Sequence, residues 1–222
     1  MKILLKGKVM LKIDNVKIYD LCESIVASGL PMQARYTESQ FYEEVMALDM
    51  AFDLNTHNIT TPDLVKTNKH YKRACKLANN PSSSGHPNFL TGIQVSMNIT
   101  APVKWWEQWQ RYHFQQIVSS QSTMHRLREM LKSASPYIFD EGVNPEVITW
   151  LVNNADKMTD EELAYNCPMG LHLTARVNLN YMQIRNIYRQ RRNHKLKAWQ
   201  DFCEWVKTLP LAKEFILVGG ER

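Results

Sequence analysis

Residues 93–99, IQVSMNI, constrain this chain more than any other stretch. Ile93, Val95, Met97 and Ile99 alternate with Gln94, Ser96 and Asn98, the period-two pattern of a strand with one buried and one polar face. Ala101-Pro102 ends that strand, because proline has no N–H for a ladder. A long helix is predicted from Val103 past Leu127. A loop precedes the strand, marked by the asparagine, proline, serine and glycine of NNPSSSGHPNF, 79–89. This strand lies between stretches of helical spacing, as in an α+β chain.

The remaining elements follow from the same periodicities. Residues 2–5 and 8–13 suggest a hairpin around Gly7, and helical spacing covers 17–28, 38–53 and 62–79. Further helices are expected at 145–154 and 159–166, the second opened by Thr159 with Glu162 three residues on, a capping-box pattern. CPMG (167–170) interrupts the chain before a predicted long helix over 176–194 and a last one near 197–208. The fold class expected is α+β: one domain over 1–222, with a small, mostly antiparallel sheet and several long helices.

Bulk properties narrow the function classes. A 44% apolar and 22% charged composition is that of a globular chain, and the formal charge of +5 permits an acidic partner without demanding nucleic acid. The richest basic stretch, RNIYRQRRNHKLK (185–197), interleaves its charges with aromatics and amides. Cys22, Cys75, Cys167 and Cys203 form no CxxC pair, which suits a reducing, cytoplasmic setting. The apolar N-terminus is broken by lysines, and no stretch approaches a membrane span. His113 and His125 lack zinc-site spacing and acidic companions, so no metal is expected.

Two polar rows carry the candidate chemistry. Gln108, Arg111, Gln115, Ser119 and Ser122 are spaced 3, 4, 4 and 3, which puts them on one face if the predicted helix is continuous. Lysine and glutamate, the usual solvent residues, are absent from that row. Its glutamines, serines and arginine suit hydrogen bonding of fixed geometry. On the 176–194 helix, Asn180 and Arg191 lie eleven residues apart and project alike, with His194 in the same arc and Asn186 beside it. Arg191 is suited to clamping a phosphate, or to snorkelling from a buried helix. The first reading makes the two helices the walls of one crevice, with Arg111 and Arg191 gripping an acidic ligand.

The order of these parts resembles the flavin-dependent thymidylate synthases, over most of the chain. That family carries Gly-His before a strand, then a helix whose signature is Arg-His-Arg, seven residues, Ser. Here Gly85-His86 precedes the strand, and Gln108-Trp109-Gln110-Arg111 leads into the motif. The family's later pattern of Asn, five residues, Asn, four residues, Arg, then His and Trp is matched by Asn180, Asn186, Arg191, His194 and Trp199, with His194 one place early. The resemblance implies FAD as cofactor, NADPH and methylenetetrahydrofolate as co-substrates, dUMP as nucleotide and a homotetramer. It places Gln108, Arg111, Ser119, Ser122 and Arg191 on the nucleotide, with Ser122 and Arg191 nearest the chemistry. His86, Asn88, Tyr112, His113, Asn180, Asn186 and His194 are placed against FAD.

The resemblance implies a divergent member, of the phage type that the family includes, because its signature is altered. Arg111-Tyr112-His113 stands for Arg-His-Arg. The family's Asn-Glu falls on Val118-Ser119, its serine on Gln121 or, with an insertion, Ser122, and a substrate arginine expected near Ala164 is missing. Three functions stay open: one-carbon transfer to C5 of a uracil nucleotide; binding of a nucleotide or nucleotide signal after the flavin chemistry has lapsed; or an unrelated α+β protein, including a nucleic-acid binder using 185–197.

Overall fold

The computed structural model describes residues 11–53, 58–59, 62–134 and 138–218; of the hairpin expected over 2–5 and 8–13, the part over 2–5 and 8–10 lies outside them, and Lys12 and Ile13 open strand β1. Strand β1 (Lys12–Tyr19) is followed by helices α1 (Leu21–Ala27) and α2 (Glu38–Asp49), then the short antiparallel pair β2 (Phe52–Asp53) and β3 (Asn58–Ile59). Helices α3 (Pro62–Thr67) and α4 (Lys69–Ala78) follow, and two 3-10 turns (Ser82–Ser84 and His86–Thr91) lead into β4 (Gln94–Pro102). Next come α5 (Val103–Trp109), β5 (Gln116–Ser120), α6 (Thr123–Ala134), α7 (Pro145–Asn154) and α8 (Asp160–Asn166). The chain ends through β6 (His172–Asn180), α9 (Tyr181–Arg191), α10 (Lys197–Val206) and α11 (Ala212–Phe215). Four strands form one sheet in the order β1-β4-β6-β5. The class is α+β, as the alternation of patterns indicates.

Two compact units divide the chain. The first holds Met97–Asn178 and Leu196–Phe202 together with the start of β1; the second holds Lys17–Ser96, Leu179–Lys195 and the chain from Cys203 onward. In the first, Leu127, Leu131, Ile148, Leu151 and Leu163 from α6, α7 and α8 pack with Phe139 and Leu171 into one apolar cluster. Burying each such side chain stabilises the fold by about 1.5–3 kcal/mol. The expected Thr159–Glu162 capping box is present: Thr159 Oγ1 accepts from the Glu162 N–H at 3.2 Å, and the Glu162 carboxylate accepts from the Thr159 N–H at 2.8 Å.

The second unit spends arginines on helix ends. The Arg73 guanidinium donates to the carbonyls of Ile25 and Val26 and to Ser28 Oγ, closing the C-terminus of α1. A Cβ at Gly29 would sit 2.3 Å from the Arg73 guanidinium carbon, so a side chain there would displace the guanidinium. Arg185 is fully buried and donates to the carbonyls of Ala78 and Asn80 at 2.8 and 2.9 Å, satisfying the end of α4. Burial first, and then the Arg189 charge, pull its pKa down to about 10.

Two expected long helices are corrected. The one predicted from Val103 stops at Trp109, and the chain turns through Phe114, whose φ is 67°, into β5. Ile117 and Val118 favour extended structure there, and β5 pairs antiparallel with β6, shifting register between Ile117 and Ser119. The helix predicted over 176–194 starts only at Tyr181, because residues 172–180 form β6. Its buried Ala175, Val177 and Leu179 alternate with partly exposed Thr174, Arg176 and Asn178. Hydrophobic alternation outweighed helical spacing in that segment.

Candidate functional site

The row Gln108, Arg111, Gln115, Ser119 and Ser122 does not lie on one helix face. Gln108 sits on α5, Arg111 and Gln115 on the turn, Ser119 on β5, and Ser122 just before α6, where its carbonyl accepts the Arg126 N–H at 3.1 Å. What the structure substitutes for the helix face is a turn built on tryptophan. Trp105 and Trp109 on α5 and Trp199 on α10 are fully buried. Their rings pack at centroid distances of 4.8 Å (105–109, stacked), 4.7 Å (105–199, tilted) and 6.2 Å (109–199, stacked), with Phe202 against all three. The Trp106 indole is tied to the Leu173 carbonyl at 3.0 Å, fixing α5 on β6.

Two side-chain amides emerge from this cluster already oriented. The Trp199 indole N–H donates to Gln108 Oε1 at 2.8 Å, and the Trp109 indole N–H donates to Gln115 Oε1 at 2.9 Å. Between them Arg111 and His113 are exposed, and the Tyr112 ring packs edge-on to Trp109 and Trp199 at 6.5 and 6.0 Å. Ser119 faces Arg176 across the β5–β6 ladder. Arg176 is itself held by the Asn15 carbonyl at 2.8 Å and Asn98 Oδ1 at 3.3 Å, and Asn98 in turn donates to Asp14 at 3.1 Å. This stretch can therefore meet an anion through an exposed guanidinium, flanked by amides and hydroxyls.

The second unit positions the other candidates separately. His86 and Asn88 lie on the turn before β4 and line an open cleft of about 350 Å³, with Ser28 and Thr91 as further polar groups and Pro31 and Phe89 as apolar walls. Gly85 opens that turn in the left-handed region at φ 75°, where a side chain would be strained. Asn186 on α9 accepts from Ser82 Oγ at 3.3 Å, and Arg189 donates to the same hydroxyl at 3.2 Å and to the Val218 carbonyl at 2.7 Å. Arg191 and His194 are half-buried neighbours, the His194 N–H reaching the Arg191 carbonyl at 2.9 Å. Burial, then the Arg191 charge, lower the His194 pKa.

Asn180 departs from its expected place beside Arg191. It is the N-cap of α9, its Oδ1 accepting from the Gln183 N–H at 3.0 Å while Gln183 Oε1 accepts from the Asn180 N–H at 2.8 Å. The 185–197 stretch is also no uniform basic surface, because Arg185 is enclosed and Arg189 is tied to Ser82 and Val218.

The sequence carries no local signal of these indole–amide bonds. Trp199 and Gln108 stand 91 positions apart, so only the fold joins them. A larger cleft of about 490 Å³ beside α6 is lined by Arg128, Glu129, Lys132 and Asp160, with His125. Its charges are committed. Arg128 holds the carbonyls of Ala155 and Met158 and the Asp160 carboxylate, Lys132 pairs with Asp156, and Glu129 with Arg126.

No family model matches the sequence, and no curated protein matches it. Solved structures do match the fold. Flavin-dependent thymidylate synthase ThyX from Helicobacter pylori, complexed with FAD and dUMP, superposes at a TM-score of 0.60 and 13% identity, over 93% of this chain and 97% of that one. A second ThyX structure from that organism, also with FAD and dUMP, gives 0.54 and 13% over 93% and 96%. The UMP/dUMP methylase PolB from Streptomyces cacaoi, bound with 5-Br dUMP, gives 0.53 and 11% over 96% and 98%. The chain thus has a fold like that of ThyX and of this methylase.

Proposed function

We propose that the chain binds a pyrimidine deoxynucleotide of the dUMP type together with FAD and transfers a one-carbon unit to uracil C5. The observation that carries this is the fold likeness, over nearly the whole length of both chains, to enzymes solved with dUMP or its bromo analogue. Gln108, Arg111, Ser119 and Ser122 are the nucleotide contacts on this reading. Arg111 offers the rigid fork that suits a phosphate, and Ser119 and Ser122 add neutral donors that survive any change of pH. Arg191 carries over from the resemblance as a further anion contact.

The cleft bearing His86 and Asn88 combines apolar walls with a few polar groups, the chemistry that receives a flat heteroaromatic ring. His86 and Asn88 would hold FAD there, with Asn186 and His194 as further contacts carried over from the resemblance. Bound FAD would supply the redox chemistry, methylenetetrahydrofolate the carbon and NADPH the reducing equivalents. Tyr112 and His113 carry over less directly. The Tyr112 ring is packed on Trp109 and Trp199, where the family places a flavin-contacting histidine. That packing favours the second reading, a nucleotide-binding protein whose flavin chemistry has lapsed. Assembly as a homotetramer belongs to the same proposal.

One experiment separates the readings. Protein purified with FAD should show the visible absorption of bound oxidised flavin, and should release tritium from C5-labelled dUMP only with FAD, reductant and folate present. Flavin binding without release, or colourless protein that dUMP stabilises against heat, leaves the binding reading. Neither flavin nor dUMP binding removes both.

A further inference from the structure

We propose that His70 and Arg73 form a proton-controlled latch on one wall of the cleft that bears His86 and Asn88, closed while His70 is neutral and released when it gains a proton. The latch stands on side-chain geometry within the second unit; only its effect on a ligand rests on reading that cleft as the flavin site.

Arginine can only donate, so a ring nitrogen that meets a guanidinium must offer a lone pair. Arg73 Nη2 stands 2.9 Å from His70 Nδ1, which makes Nδ1 the acceptor and leaves the proton of the neutral ring on Nε2. That nitrogen lies 3.2 Å from a Glu44 oxygen, as a charge contact and not an aligned hydrogen bond. The His70 ring is buried between these partners. Adding a proton to Nδ1 turns the acceptor facing Arg73 into a second donor and sets two cations in contact. Both cannot keep their places. Among the described residues, the charged groups acting on the ring are Glu44 of α2 and, on α4 itself, Arg73 and Lys69. Lys69 already holds Glu44 Oε1 at 2.9 Å, so that carboxylate is shared. Burial comes first in holding His70 below the ordinary histidine pKa, with Glu44 opposing and the two cations adding to the fall.

The guanidinium that protonation displaces is the one that ties down the end of α1. It donates to the carbonyls of Ile25 and Val26 at 3.4 and 3.0 Å and to Ser28 Oγ at 3.2 Å. Ser24, Ala27 and Ser28 from this end, with Pro31 beyond it, line the cleft, and so does Leu77, one turn past Arg73 on α4. Releasing Arg73 therefore frees a wall of the cleft. Because the latched pKa is depressed, the closed form is fully favoured above about pH 6.5 and loses ground as pH falls through that value.

Hydrogen exchange of the full chain, corrected for the intrinsic rate, reads the latch at the Ser28 and Gly29 amides, which donate to the Ser24 and Val26 carbonyls. Wild type should exchange up to about 10-fold faster at about pH 5.5 than at about pH 7.5, the effect of one pH unit below the free histidine value. His70→Asn offers a neutral oxygen near the Nδ1 position and gains no proton, so it should exchange alike at both pH values. Arg73→Met should exchange fast at both; if it does not fold, wild type and His70→Asn still decide. FAD affinity at the same two pH values should weaken in wild type by a similar factor and stay constant in His70→Asn. Wild-type exchange that ignores pH, or a pH step that survives in His70→Asn, overturns the latch. A pH step in exchange with unchanged FAD affinity overturns its hold on the cleft. Protein that binds no FAD at either pH counts against the flavin reading alone, and the exchange result then decides the latch.

Discussion

The segments on either side of two breaks, α5–turn–β5 and β6–α9, look alike in sequence and use their polar side chains in opposite ways. In β6–α9 those groups are spent on the fold: Asn180 caps α9, Arg185 holds the end of α4, and Arg189 ties Ser82 to the Val218 carbonyl. In the α5–β5 turn the tryptophans do the holding, and Arg111 and His113 are left exposed. An arginine in a polar row is thus no evidence of a ligand until its hydrogen bonds are traced. Arg185 belongs to the basic stretch in sequence and is a buried structural strut. Arg111, read from the sequence as a ligand contact, is exposed on the turn.

The sharpest test of that contrast is Arg185→Met. It leaves the Ala78 and Asn80 carbonyls without their donor in a buried setting, and should cost roughly 2–5 kcal/mol in urea denaturation. A loss below the low end of that range would remove the strut from the account. Asn180→Ala comes next. Removing the cap should cost about 1 kcal/mol, measured the same way, with Asn180→Asp retaining most of the stability.

How much of this was legible depends on sequence distance. The Thr159–Glu162 and Asn180–Gln183 boxes each span three residues and are readable as local patterns. The first was read. The second was overlooked because the Asn180–Arg191 spacing suggested one continuous helix, although VNLN already alternated as a strand does. The break after Trp109 was not legible, since nothing in QRYHFQQ demands it. It follows from aromatic packing with α10 and from a left-handed Phe114 that no propensity favours. Gly85-His86 and Asn88 were placed at the strand's entrance by motif, and the structure puts both side chains on a cleft.

Smaller effects sharpen the comparison further. Burial, acting first, lowers the pKa of His70 and of His172, with Glu44 and Asp140 respectively opposing. The folded chain then binds fewer protons than the unfolded chain around the ordinary histidine pKa. Stability should therefore hold at neutral pH and fall as acid is added through about pH 6.5 and below. A melting temperature that rises on acidification across that window would contradict this assignment. The smallest stability change belongs to Arg111→Ala, expected within about 0.5 kcal/mol of wild type because the side chain is exposed.

Calorimetric titration of dUMP into wild type and Arg111→Ala, each first shown to melt alike, tests the central claim most directly. The account expects wild type to bind and the variant to weaken on the order of 10-fold or more, the loss of one charge-assisted contact. Equal affinities in the two proteins would contradict it.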